Sequence, residues 1–269
     1  MSSSTVSAQL LARRMRQMAY VNACCALGIT SSVYFNRGGG ESQSEGESEH
    51  VVEEKTAWCA CRLKAASRGV DAVRALSKEE AAWLNAELAS DHAGETGAVY
   101  IYRGARSALA LRARSSHDAG DDAAAAFCKE HEKTEAHHLK AIERLADGDA
   151  RTSLIPLWKV AGYMLGFAPT AVFGANGLYA TVNHVERFVV DHYESQIARL
   201  QDYSLQRSND DIRALVDVLR ECQVDEAHHR DDAASRVIVA DSSSRSLVDA
   251  WGVVVHQGSR AAAEVARHV

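Results

Sequence analysis

The run Thr134-Glu135-Ala136-His137-His138 returns later in the chain as Asp225-Glu226-Ala227-His228-His229, and this repetition decides the fold. Each run holds a Glu-x-x-His. A Glu and a His three apart on a helix lie on one face, about one turn from each other. Forty residues before each of them stands a further glutamate, Glu95 before Glu135 and Glu186 before Glu226. Two Glu-x-x-His pairs with two single carboxylates make the six-ligand set of a four-helix bundle that binds two iron or two manganese ions. Carboxylate oxygens with one imidazole per metal suit iron or manganese better than zinc, which prefers four tight ligands. One Glu-x-x-His is common by chance in a helical protein. Two of them at one spacing are a strong signal, and they predict Glu95, Glu135, His138, Glu186, Glu226 and His229 as metal ligands.

Turn signals fall where this spacing requires them. The cluster Ser115-Ser116-His117-Asp118-Ala119-Gly120 lies midway between Glu95 and Glu135, and the polar break Gln206-Arg207-Ser208-Asn209-Asp210 lies midway between Glu186 and Glu226. The chain therefore folds back at both points, and each hairpin brings its two glutamates to the same height. Ser77 with Glu80 reads as a capping box that opens the first helix. An apolar period through Trp83, Leu84, Leu88, Val99, Ala105 and Leu109 carries that helix onward. Ligand helices are predicted over 78–114, 121–147, 172–206 and 210–238.

The crossover over 156–171 contains both prolines, Pro156 and Pro169, and no charged residue occurs from Val160 to Asn183. Its length alone would permit a membrane span. Pro169 and the glycines 162, 166, 174 and 177 interrupt it, however, and a span would carry Glu186 away from its partners. Short apolar helices lying on the bundle and touching the lipid interface are predicted instead. The serines 242–244 read as a break, and 247–269 as a last amphipathic helix.

The chain of 269 residues can bury a sizeable core, with one domain of roughly 200 residues and a tail. Confinement of proline to the crossover lets helices run elsewhere, so the fold class is all-α. A net charge of −6 argues against nucleic acid, whose binders usually carry a basic face. The first forty residues hold no Asp or Glu but carry Arg13, Arg14, Arg16 and Arg37 with several serines, the pattern of a mitochondrial presequence. The organisation expected is a presequence over 1–37, a flexible linker over 38–76 and the metal-binding domain over 77–269. Cys24, Cys25, Cys59 and Cys61 form no disulfide framework, and Cys128 and Cys222 are expected as small apolar core residues.

Several side chains are predicted around the ligands. Tyr102 and Tyr193 each follow a single glutamate by seven residues, on the metal-facing stripe, and are the candidate catalytic residues: they line a substrate channel, donate a hydrogen bond to a ligand or a bound quinone, or else fill the core. Asp91 lies one turn before Glu95 and is predicted to orient a ligand imidazole. His137 and His228 point about 100° away from the ligands, toward solvent or an outer hydrogen bond. His92 and His192 have no assigned role.

Longer strings carry a resemblance. Asp91-His92-Ala93-Gly94-Glu95-x-Gly97-Ala98, Glu135-x-x-His138-Leu139-Lys140, Pro156-Leu157-Trp158, His192-Tyr193-x-x-Gln196-Ile197 and Asp225-Glu226-x-His228-His229 occur in that order. Over about residues 78–240 the chain resembles the 5-demethoxyubiquinone hydroxylases of ubiquinone biosynthesis, which are ferritin-like di-iron monooxygenases. The resemblance implies a ferritin-like four-helix bundle holding two iron ions. It implies hydroxylation of the ring of a polyprenylated demethoxybenzoquinone with O2, and electrons ultimately from NADH. It also implies a lipid-presenting partner protein, an oligomer, and a peripheral position on the matrix side of the mitochondrial inner membrane. Two departures stand out: Arg187 follows Glu186 where the family usually has a second acidic residue, and Glu132 is a rival to Glu135. Asp225-Glu226-Ala227-His228-His229-Arg230 is also similar to the last motif of the alternative oxidase, so a quinol-oxidising di-iron oxidase is one alternative. A ferritin-like iron-binding protein is the other.

Overall fold

Ser77 opens the first helix as its spacing from Glu80 predicts. Its hydroxyl accepts the Glu80 N–H, and the Glu80 carboxylate accepts the Ser77 N–H at 2.9 Å. A computed structural model of the chain describes residues 71–269 other than 73, 75, 115–118, 147–149 and 208. The segments expected as presequence and, nearly all of it, as linker lie outside the described residues, as do the cysteines 24, 25, 59 and 61. Among the described residues six helices follow one another from Lys78: α1 Lys78–Arg112, α2 Ala119–Leu145, α3 Ile155–Phe173, α4 Ala175–Arg207, α5 Asp210–Arg236 and α6 Ser242–Ala266. Both hairpins turn at the expected points, although residues 115–118 and 208 themselves lie outside the described residues.

Helices α1, α2, α4 and α5 form the four-helix bundle, with α1 packed on α2 and α4 on α5. Helix α3 crosses from one hairpin to the other along α1, and α6 lies against α4 and α1. The apolar core has two main parts and a small third one of Ala93, Trp158 and Ala266. One main part contains Leu84, Leu88, Ile142, Leu145, Ile197, Leu200, Leu215 and Leu219, and the other Ile101, Leu109, Phe127, Leu178, Val182 and Val255. Along every bundle helix the predicted ligands fall between these two parts. A polar layer therefore sits between two apolar ones, each fully buried leucine contributing about 2 kcal/mol.

The crossover differs from its prediction. It is one helix of 19 residues, begun by Pro156 in its first turn and ended by Gly174. Pro156 suits that position because the first turn has no intrahelical partner for an N–H. Gly174 has φ 62°, a left-handed conformation that favours glycine, and the chain passes there directly into α4. Gly174 thus does interrupt the charge-free run, whereas Gly162 and Gly166, also expected to interrupt it, instead allow close packing. A Cβ on Gly166 would lie 1.9 Å from the Ile101 carbonyl oxygen, and one on Gly162 2.2 Å from that of Gly97. Backbone meets backbone along this seam, just beyond Glu95 on α1.

The last helix also starts earlier than predicted. Asp241 caps it by accepting the Ser244 N–H at 2.7 Å, so the serines 242–244 form its first turn. Serine near a helix start is as compatible with a cap as with a break. Among the described residues no helix is long and apolar enough to cross a membrane.

Candidate metal centre

The bundle brings all six predicted ligands into one buried layer. Ligand atoms of Glu95, Glu135, His138 and Glu226 lie within 4.8 Å of one another, as do those of Glu135, Glu186, Glu226 and His229. Glu135 and Glu226 belong to both groups, which is where bridging carboxylates would stand. Glu95 and Glu186 belong to one group each and would be terminal. Both imidazoles turn Nδ1 inward: that of His138 lies 2.7 Å from Glu226 Oε1, and that of His229 2.8 Å from Glu135 Oε1.

These atoms fit metal ions better than they fit each other. Both Glu135 oxygens, Glu95 Oε2, Glu226 Oε1 and His138 Nδ1 are buried without a hydrogen-bond partner, despite the short approaches. Four carboxylates clustered in a protein interior are costly unless cations neutralise them. The proton affinities reflect that cost. Burial, then repulsion from Glu226, Glu135 and Glu95, holds the Glu186 carboxyl well above its usual range. Burial likewise raises Glu95, against the opposing charge of His138. Burial works against charge on His229 too, but Glu135 and Glu226 outweigh it and lift that imidazole to about 10. Burial would raise Glu226, yet both imidazoles hold it below its ordinary value.

The surrounding predictions fare unequally. Tyr193 donates its hydroxyl hydrogen to Glu95 Oε1, so it acts on a predicted ligand. Tyr102 is equally buried, but its hydroxyl has no partner among the described residues, and its ring stacks on His131 with centroids 6.0 Å apart. Asp91 does not orient a ligand imidazole. Its carboxylate accepts from Gln196 at 2.8 Å and lies 3.2 Å from His192, one turn removed from the layer. The residue that does orient one is Asp225, whose carboxylate is 2.9 Å from His138 Nε2. Helical spacing could not reveal it, because Asp225 reaches from α5 across to a ligand on α2.

His131 was also missed, although it stands one turn before Glu135 on the predicted stripe. Its ring meets the ring of His229 edge-on at 4.3 Å, and its Nε2 lies 3.1 Å from Asp232. Burial, followed by the charge of His229, lowers its pKa to about 4. His92 is buried 3.8 Å from Glu143, and His228 is exposed. Glu132 is no rival ligand, since its two oxygens pair with Arg103 and Arg106 at 2.8 Å each. The groove of about 650 Å³ beside that pair lies on the α1–α2 surface, away from the metal layer, and its charges are already matched. Arg187 points outward, and Cys128 and Cys222 are core residues, as expected.

A four-helix bundle with two carboxylate–imidazole groups sharing two glutamates defines the class of ferritin-like di-metal carboxylate proteins. Within that class, residues 82–266 match the family described as ubiquinone biosynthesis protein COQ7, and the chain belongs to it. A 3-demethoxyubiquinol 3-hydroxylase of Rhodospirillum rubrum is 36% identical over 153 residues, which are 56% of this chain and 64% of that protein. A mitochondrial NADPH-dependent 3-demethoxyubiquinone 3-hydroxylase of Mus musculus is 32% identical over 143 residues, 52% of this chain and 59% of its own length. A mitochondrial 5-demethoxyubiquinone hydroxylase of Saccharomyces cerevisiae is 30% identical over 167 residues, 59% of this chain and 68% of its own. The chain thus spans about three-fifths of the length of the first two relatives.

Proposed function

We propose that this chain is a di-iron monooxygenase that hydroxylates the ring of a polyprenylated demethoxybenzoquinone in ubiquinone biosynthesis. The observation that carries the reading is the pair of buried ligand groups sharing Glu135 and Glu226. Glu95, Glu135, His138, Glu186, Glu226 and His229 would hold two irons. When bound, these supply the activation of O2. In the overall reaction a ring C–H becomes C–OH and the second oxygen atom leaves as water, with two electrons and two protons from the reductant. A nicotinamide nucleotide is the reductant by class. NADH was expected, and the names of several relatives specify NADPH.

The chain's own residues prepare the site. Asp225 holds the His138 ring with Nδ1 turned inward, and Tyr193 fixes the orientation of Glu95. The two apolar layers keep bulk water from the reacting ring. The seam of glycines sets α3 alongside α1 at the height of Glu95, which leaves the opposite face of α3 outward. That face carries Leu157, Val160, Met164 and Val172, each at least half exposed. An exposed apolar row of this kind supports peripheral docking on a lipid surface. Trp158 on the inner side of α3 is buried and donates its N–H to Thr152 at 2.9 Å. The rim in this reading consists of Val160, Met164 and the half-buried Tyr163, Leu165 and Phe167.

The names of the mouse and yeast relatives support a mitochondrial site, and the reading places the chain on the matrix side of the inner membrane. A lipid-presenting partner and an oligomer complete it. Family membership favours hydroxylation over the quinol-oxidase and iron-binding alternatives. The test is to supply iron-loaded protein with O2, NADH or NADPH and a demethoxyquinone, and to look for a product heavier by one oxygen atom. Unchanged quinone with both reductants, from protein carrying its full iron, would exclude the reading.

A further inference from the structure

The two halves of the bundle repeat with a fixed offset: Glu95 corresponds to Glu186, Tyr102 to Tyr193, Thr134 to Asp225, Glu135 to Glu226 and His138 to His229. The ligands obey this symmetry, but the groups that support them do not. Asp225 lies 2.9 Å from Nε2 of His138, across the bundle. Its counterpart by this offset is Thr134, which has no carboxylate to offer His229. Tyr193 donates to Glu95, whereas its counterpart Tyr102, on the Glu186 side, has a buried hydroxyl without a partner among the described residues. Asp232, which approaches through His131, is engaged by that imidazole and by Arg236 at 2.8 Å. The carboxylate contacts of His229 among the described residues are made by Nδ1, and the ring of His131 meets the His229 ring edge-on at 4.3 Å.

We propose that the two metal positions are inequivalent: the one bounded by Glu95, Glu135, His138 and Glu226 fills first and holds its ion more tightly than the one bounded by Glu135, Glu186, Glu226 and His229. This rests on the reading of these six residues as ligands. A carboxylate that accepts the outer N–H of an imidazole fixes the tautomer with its lone pair toward the metal and makes that nitrogen more basic. Losing such a partner typically costs about 10- to 100-fold in metal affinity. A hydroxyl bonded to a terminal carboxylate likewise holds it in its ligating orientation before the ion arrives. Both devices act on the first position and neither acts on the second. Asp225 and Tyr193 are therefore positioning residues, and Thr134 marks where the second position lacks one.

The test uses the full chain freed of metal by chelation and titrated with Mn(II), with free ion followed by its paramagnetic resonance signal. Two binding steps are expected, separated about tenfold or more. Asp225→Asn should weaken the tight step about 10- to 100-fold and leave the weak step within about twofold, so that the two merge. Thr134→Asp should do the opposite, tightening the weak step about tenfold by giving His229 the acceptor that His138 has. Two ions bound by the wild type with one shared affinity would overturn the proposal while leaving the ligand assignment intact. So would an Asp225→Asn variant, folded by circular dichroism, whose tight step is unchanged. If that variant does not fold, Thr134→Asp decides, an unchanged weak step then counting against the proposal. Failure to bind two ions at all would remove the ligand assignment and the proposal together.

Discussion

At the residue scale, the six proposed ligands would differ in how many ions depend on them. Glu135 and Glu226 stand in both groups, whereas Glu95 and Glu186 stand in one each. Glu226→Gln should therefore lower iron content from about two ions per chain to well under one, and Glu186→Gln only to about one. Metal analysis of the two purified variants checks this, and equal losses would mean that Glu226 is not shared. The cluster of six buried side chains could be read from the sequence because each stands on its own helical stripe. Asp225 and the pairing of Glu132 with Arg103 and Arg106 could not, because they depend on which helices become neighbours. Asp91 illustrates the converse: its stripe position is right, but the side chain meets His192 and Gln196 rather than a ligand imidazole.

At the scale of elements, the α1–α3 seam shows why glycine was misread in the crossover. Gly162 and Gly166 weaken the helix in isolation, by about 1 kcal/mol each against alanine. In the bundle Gly162 and Gly166 let two backbones touch, and that tertiary gain is invisible to local propensity. Gly166→Ala should press a methyl group into the Ile101 carbonyl and destabilise the protein by about 3 kcal/mol, the upper range for overpacking. The melting temperature should fall by roughly 6–12 °C. Gly258 on α6 is exposed with open space around it, so Gly258→Ala should instead stabilise by about 0.5–1 kcal/mol. Calorimetry of both variants measures the contrast, and similar effects would show that the seam does not require glycine. The opposite face of α3 offers a second test. Val160→Asp with Met164→Asp should leave iron content unchanged and abolish vesicle binding and turnover of a long-tailed quinone. A short-tailed, water-soluble quinone should still react, because removing a polyprenyl tail from lipid costs about 0.8 kcal/mol per CH2 and the short analogue avoids that cost. Equal loss with both quinones would rule out α3 as the lipid-facing route.

At the scale of the whole molecule, the polar layer makes stability depend on protons and metal together. In the metal-free protein His229 is raised from 6.5 to about 10, so its contribution is complete below about pH 6.5 and is lost as pH rises toward 10. Glu95, Glu186 and His138 are raised as well and act with the same sign, the two carboxyls from near 4.5 upward. Glu135 and Glu226 are lowered and act oppositely: their contribution is present above about 4.5 and is lost as pH falls through their folded values. The metal-free chain should therefore be most stable in mild acid, with a melting temperature that declines toward alkaline pH because the folded state holds more protons than the unfolded one. Bound ions reverse the sign. They require ionised carboxylates and neutral imidazoles, so the folded state then holds fewer protons than the unfolded one near neutrality, and stability rises with pH. Melting curves from pH 5 to 9, with chelator and with Mn(II), should nearly meet at the acid end and diverge steadily toward the alkaline end. A metal-induced gain that was constant across this range would show that ions and protons do not compete for the same buried groups. The layer of Glu95, Glu135, His138, Glu186, Glu226 and His229 would then not be where the metal binds.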